Sequence, residues 1–126
     1  LNKARTKPLY SNVSLSLGDV EFLPFHDDTF DAVWSSGSIE YWPNPIQALS
    51  EIRRIVKPGG KILIVGPKKP NQTILGKMAM SIMLFYTENE ADQLFSEAGF
   101  EKIQHICLQA HFGSPFAIIT LAHVPI

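Results

Sequence analysis

A single cysteine, Cys107, is all the thiol chemistry this sequence carries. An internal disulfide needs two cysteines, and a Cys-rich zinc site needs a cluster, so both are excluded. The four histidines, His26, His105, His111 and His123, show no ligand spacing, and no metal is expected. Neither sign of charge is in excess. Lys and Arg number 11 against 12 Asp and Glu, for a net charge of −1, which leaves no basic field for nucleic acid. Long hydrophobic runs are also missing. The longest apolar-leaning stretch, residues 74–86, is interrupted by Lys77, and a membrane span needs roughly 20 residues. No GxG occurs, which excludes the dinucleotide fingerprint and weakens a nucleotide-binding module of another Rossmann type. Gly66 is followed by Pro67 rather than the lysine of a P-loop, and no GxSxG elbow is present. The lone cysteine and an opening stretch unlike a signal peptide make the cytoplasm the expected compartment.

What remains is an ordinary globular composition. The chain has 126 residues, of which 45% are hydrophobic. That suits one domain over residues 1–126 and is too apolar for a disordered segment. Residues 13–17 alternate Val13, Leu15 and Leu17 with serine, the period of a half-buried strand, and Gly18-Asp19 ends it. Residues 30–34, FDAVW, read as a strand buried on both faces. Asn44 then caps a helix that has Pro45 at its first position. Ile46, Leu49, Ile52 and Val56 line one face, Arg53, Arg54 and Lys57 complement the helix dipole, and Pro58-Gly59-Gly60 stops it. Residues 61–65, KILIV, form the next buried strand. Strand, helix, strand in this order predicts a parallel pair.

The later chain predicts two helices and a hairpin. Residues 73–85 carry Ile74, Met78, Ile82 and Phe85 at helical spacing. Thr87 and Glu90 make a capping box for a helix that Gly99 closes. Residues 100–108 and 116–122 read as an antiparallel hairpin at a sheet edge. The fold class is therefore α/β with an antiparallel finish.

In open parallel sheets, ligands bind beyond the carboxyl ends of the strands. Asp19 and Val20 lie at one such end, and Ser35 and Ser36 at another. An acid there accepts a hydrogen bond from an amine or hydroxyl, a backbone N–H meets a ring nitrogen, and small residues admit a ligand close to the backbone. Asp19 taken alone reads equally as an Asx turn. Glu40, Tyr41 and Trp42 place an acid and two aromatics past the serine exit. They either stack on an aromatic ligand or pack inward as the start of a helix.

Three segments together, GDVEFLPF (18–25), FDAVWSSGSIEYWPNP (30–45) and EIRRIVKPGGKILIVGP (51–67), resemble the class I S-adenosylmethionine-dependent methyltransferases. The run SIEYWPNP is similar to the branch that methylates quinone precursors, such as 2-methyl-6-phytylbenzoquinol methyltransferases. The resemblance covers roughly residues 13–108. It implies a Rossmann-like sheet with an antiparallel C-terminal hairpin, and S-adenosylmethionine as cofactor. It places Asp19 and Val20 at the adenine ring, with Phe22 and Leu23 nearby, and Ser35 and Ser36 at the methionine part. Glu40, Tyr41 and Trp42 would face a small or lipid-like aromatic acceptor. The methyl group passes in line from a sulfonium to a nucleophile, and the protein supplies orientation and desolvation. The resemblance selects no catalytic base, although Glu40 or a histidine could serve. A lid formed by Met78, Met80 and Met83 is weighed against an ordinary amphipathic helix.

The sequence departs from that family at one end. The family's first two strands, with the glycine-rich loop and the ribose-binding acid, have no counterpart in these 126 residues. The chain thus reads as the C-terminal portion of a methyltransferase. The alternative is a non-catalytic remnant that associates with itself through exposed sheet edges.

Overall fold

The computed structural model describes residues 12–67, 86–108 and 117–126. Four strands, β1 (Phe30–Ser36), β2 (Val56–Pro67), β3 (Glu101–Leu108) and β4 (Ala117–His123), make one sheet in the order β1-β2-β4-β3. β1 and β2 run parallel, while β4 is antiparallel to both β2 and β3. The late hairpin therefore inserts its second strand against β2 and leaves β3 at the edge. Two helices accompany the sheet, α1 (Pro45–Ile55) and α2 (Glu88–Glu97), with a short 3₁₀ turn at Ile39–Tyr41.

Local chemistry sets the helix ends. Asn44 Oδ1 accepts the Gln47 N–H at 3.2 Å, and Pro45 opens α1, where its missing donor costs nothing. Thr87 Oγ1 accepts the Glu90 N–H at 3.1 Å and donates to Glu90 Oε1, so the expected pair caps α2, hydroxyl to carboxylate. Gly99 follows α2 at φ +95°, a left-handed conformation that a side chain resists. A Cβ there would also stand 2.9 Å from the Arg53 guanidine.

α1 buries Ala48, Leu49, Ile52 and Ile55, and α2 buries Ala91, Leu94 and Phe95. All of these but Ala91 meet Ile62 and Ile64 of β2 and Ala122 of β4 in one core. The Phe95 and Phe100 rings pack 5.9 Å apart.

Several expectations need correction. Residues 13–17 form no strand; no strand among the described residues offers them a ladder, and Val13 and Leu17 are exposed. β1 is not buried on both faces: β2 is its one strand neighbour among the described residues, and Trp34 is 70% exposed. α1 ends at Ile55, before the Pro-Gly-Gly, since Val56 is already extended. Ile46 lies exposed on its outer side. Pro58-Gly59-Gly60 instead sits inside β2 as an irregularity. The register steps from Phe30↔Val56 to Ala32↔Lys61, so β2 spends five residues where β1 spends two. Gly60 is required there: a Cβ would stand 2.4 Å from Val56 Cγ1 and 2.8 Å from the Asp31 carbonyl oxygen. The helix expected over 73–85, with its methionine lid, lies outside the described residues.

Candidate active site

The turn at Asp19 comes first. Asp19 Oδ1 accepts the Glu21 N–H at 2.9 Å, and the Phe22 N–H donates to the Asp19 carbonyl at 3.0 Å. This is the Asx turn that the residue type favours. Oδ2 stays available, and the Val20 N–H has no hydrogen-bond partner among the described residues.

The segment after this turn is fastened to α1 by three residues on one helix face, at spacings of four and three. Gln47 Nε2 donates to the Glu21 carbonyl at 2.9 Å. Glu51 Oε2 accepts the Leu23 N–H at 2.8 Å. Arg54 donates to the Leu23 and Phe25 carbonyls at 3.0 and 2.8 Å, to Asp27 at 2.8 Å, and to both Glu51 oxygens. The Arg54 hydrogen bond holds the Glu51 carboxyl below its ordinary range, against the opposing pull of burial, and Leu23 adds to the lowering. Glu51 and Asp27 in turn make the Arg54 guanidinium harder to deprotonate. From sequence alone Arg54 reads only as a cation that complements the helix dipole. The spacing Gln47, Glu51, Arg54 was the available signal for this clamp.

A cavity of about 460 Å³ opens between the fastened segment, α1 and β1. Val20, Leu23, Phe25, Trp34, Ser35 and Trp42 are among its walls. Adjacent strand residues point to opposite faces, so walls that include both Trp34 and Ser35 place the cavity around the outer edge of β1. Its size is that of a small-molecule site. Apolar and aromatic walls, an unpaired N–H at Val20 and the Asp19 carboxylate close by suit the base of a nucleoside. The residues present fit that end of S-adenosylmethionine. The glycine-rich loop that the resemblance implies is not among these 126 residues.

The structure thus gathers Val20, Ser35 and Trp42 around one cavity. Asp19 and Ser36 are exposed, each one residue from the wall. The three proposed acceptor residues diverge. The 3₁₀ turn sends Trp42 inward at 7% exposure and leaves Tyr41 62% exposed. Glu40 is 8% exposed, with Oε1 near Gly37 and Oε2 near Gly66. Gly37, at φ +68°, turns the chain out of β1, and its N–H donates to the Val65 carbonyl at 3.1 Å. Among the described residues no helix is long and apolar enough to cross a membrane.

Comparison with known proteins identifies the family. Residues 1–64 match the family described as a methyltransferase domain. A 2-methyl-6-phytyl-1,4-hydroquinone methyltransferase from rice (Oryza sativa subsp. japonica) is 40% identical over 104 residues. That match takes in 82% of this chain and 32% of the rice protein. A ubiquinone/menaquinone biosynthesis C-methyltransferase from Blochmanniella pennsylvanica is 40% identical over 76 residues, 60% of this chain and 30% of its own. The crystal structure of a SAM-dependent methyltransferase from Methanosarcina mazei superposes with a TM-score of 0.78 at 17% identity, covering 99% of this chain and 75% of that one. The chain spans about a third of the length of the curated relatives it matches. It belongs to the S-adenosylmethionine-dependent methyltransferases, a family with a Rossmann-like α/β fold.

Proposed function

We propose that residues 1–126 are one domain of an enzyme that methylates a small or lipid-like aromatic acceptor of the quinol type. The observation that carries this reading is the shared apolar cavity at Val20, Ser35 and Trp42. The named substrate of the rice relative supports the acceptor class. Asp19 and Val20 would meet the adenine ring, and Ser35 and Ser36 the methionine part. Glu40, Tyr41 and Trp42 would serve the acceptor.

S-adenosylmethionine, when bound, supplies an electrophilic methyl group on a sulfonium. This chain's residues then do three things. The Asx turn presents the Val20 N–H and a carboxylate oxygen to the base. The α1 clamp fixes the wall against which the base lies. The apolar lining excludes water, which keeps the donor and acceptor in line and free of competing solvation. Methylation of a phenolic ring also releases one proton, and no residue is assigned to take it.

Asp19 offers a clean test. Asp19→Asn keeps an oxygen for the Glu21 N–H and so preserves the turn, while removing the carboxylate. In the intact protein, calorimetry should show cofactor affinity weakened about tenfold or more, the scale of one charge-assisted hydrogen bond, with the melting temperature held. Unchanged affinity rejects the adenine assignment.

A second reading is favoured by one observation, the edge of β1 that no other strand among the described residues covers, with Trp34 exposed beside it. Here the chain is a non-catalytic member that associates with a second copy through that edge. Sedimentation of the 126-residue chain as a monomer, together with micromolar cofactor binding, rejects it. The cytoplasm belongs to the main reading as well. The rice relative is named chloroplastic, and fractionation with the intact tagged protein decides the compartment.

A further inference from the structure

We infer that one water molecule binds in the core between Tyr86 and Thr120 and completes a hydrogen-bond network, Tyr86–water–Thr120–His105–Asp92, that leads from the core to the surface. Such a network ties α2 to both strands of the late hairpin, and it stands apart from the acceptor and cofactor readings above.

The Tyr86 hydroxyl is fully buried and has no hydrogen-bond partner, although the residue as a whole is only half-buried. The ring therefore runs inward, with its polar tip deepest. Tyr86 also walls a void of about 10 Å³, together with Thr120 and core residues that include Ile64, Phe95 and Ile118. That volume suits one water and nothing larger. Tyr86 and Thr120 bring the two polar side chains of the wall, and two polar partners are the fewest that a buried water needs. A buried hydroxyl without a protein partner calls for such an occupant.

The rest of the network is in place. Thr120 is 2% exposed and shares the inner face of β4 with Ile118 and Ala122. Its Oγ1 lies 2.9 Å from His105 Nδ1, and His105 Nε2 lies 3.3 Å from Asp92 Oδ1 on α2. The His105 side chain is 9% exposed and that of Asp92 is 57% exposed, so the network surfaces at Asp92. One direction of donation suits every member. A carboxylate only accepts, so a neutral His105 carries its proton on Nε2 and donates to Asp92. Nδ1 then accepts the Thr120 O–H, which leaves Thr120 Oγ1 to accept from the water. The water in turn accepts the Tyr86 O–H. Burial, aided by the charge of Glu90, pushes the Tyr86 phenol up, so it keeps the proton that it donates. Bonds aligned in one sense polarise one another, which strengthens each of them.

A high-resolution crystal structure of the intact protein should show one water within hydrogen-bond reach of both the Tyr86 and the Thr120 hydroxyl. An empty void, or the two hydroxyls bonded directly, overturns the inference. In solution, the imidazole nitrogen chemical shifts of His105 above neutral pH should report the Nε2–H tautomer, and the opposite tautomer overturns the network. Tyr86→Phe and Thr120→Val each remove one hydroxyl at nearly constant volume. Each should lower the melting temperature of the intact protein by about 2–4 °C. The double variant should lose clearly less than the sum of the two, because the water is lost with either hydroxyl. Additive losses overturn the inference. Where a variant fails to fold, the wild-type crystal structure and the His105 tautomer still decide.

Discussion

β1 and β4 are both seven residues long and flank the same strand, β2, yet they live in different surroundings. β4 alternates cleanly, with Ile118, Thr120 and Ala122 buried, because β3 covers its far side and α2 packs over the same region. β1 has no residue fully buried, although Phe30, Val33 and Trp34 are as apolar as anything in β4. A strand's burial is therefore set by what stands beside it, not by its own hydrophobicity. The better-filled side of β2 carries stability. The open side carries the cavity.

The contrast can be broken at its strongest point first. Phe95, 1% exposed, anchors the filled side. Phe95→Ala should cost about 3–5 kcal/mol, measured by denaturant unfolding. A much smaller loss would mean that the filled side is no firmer than the open one. Gly60→Ala attacks the seam between β1 and β2, where a Cβ meets backbone oxygens of Asp31 and Lys57. A loss of about 1–3 kcal/mol is expected, and tolerance of alanine would show that the β2 irregularity is not fixed.

Acid sharpens the comparison from the α1 side. The Glu51 carboxyl is held below its ordinary value of 4.5 in the folded chain. Its stabilisation is complete above that value and is lost as pH falls through the lowered one. Glu51→Gln should accordingly flatten the acid limb of stability, read from melts at successive pH values. An unchanged limb would assign acid sensitivity elsewhere. The smallest effect belongs to the open edge. Trp34→Ser should change stability by no more than about 0.5 kcal/mol, as at most exposed sites, while lowering any self-association seen by sedimentation. A large loss of stability would show that Trp34 is part of the core after all.

Sequence signals were legible where they act locally. Asn44, Pro45, Thr87, Glu90 and Gly99 mark helix ends through bonds within a few residues, and the structure places both described helices there. The parallel pair and the late hairpin follow from element order. Residues 13–17 had the right period for a strand, but a strand exists only with a neighbour to share its hydrogen bonds. The directions of Glu40, Tyr41 and Trp42 were also hidden. Glu40 and Tyr41 sit about a third of a revolution apart in the 3₁₀ turn, and Trp42 follows it in extended backbone, so Glu40 is buried, Tyr41 is left in solvent and Trp42 turns to the cavity.

Arg54 binds two carbonyls and two carboxylates with one planar fork. A lysine in its place would reach a subset, since it offers a point charge rather than a fixed array of donors. Because the fork is stiff, its acceptors are held together or released together. Any tilt of α1 therefore carries residues 23–27 with it, and the cavity wall behaves as an extension of the helix rather than as a yielding loop. A ligand entering there meets a preset shape and must conform to it.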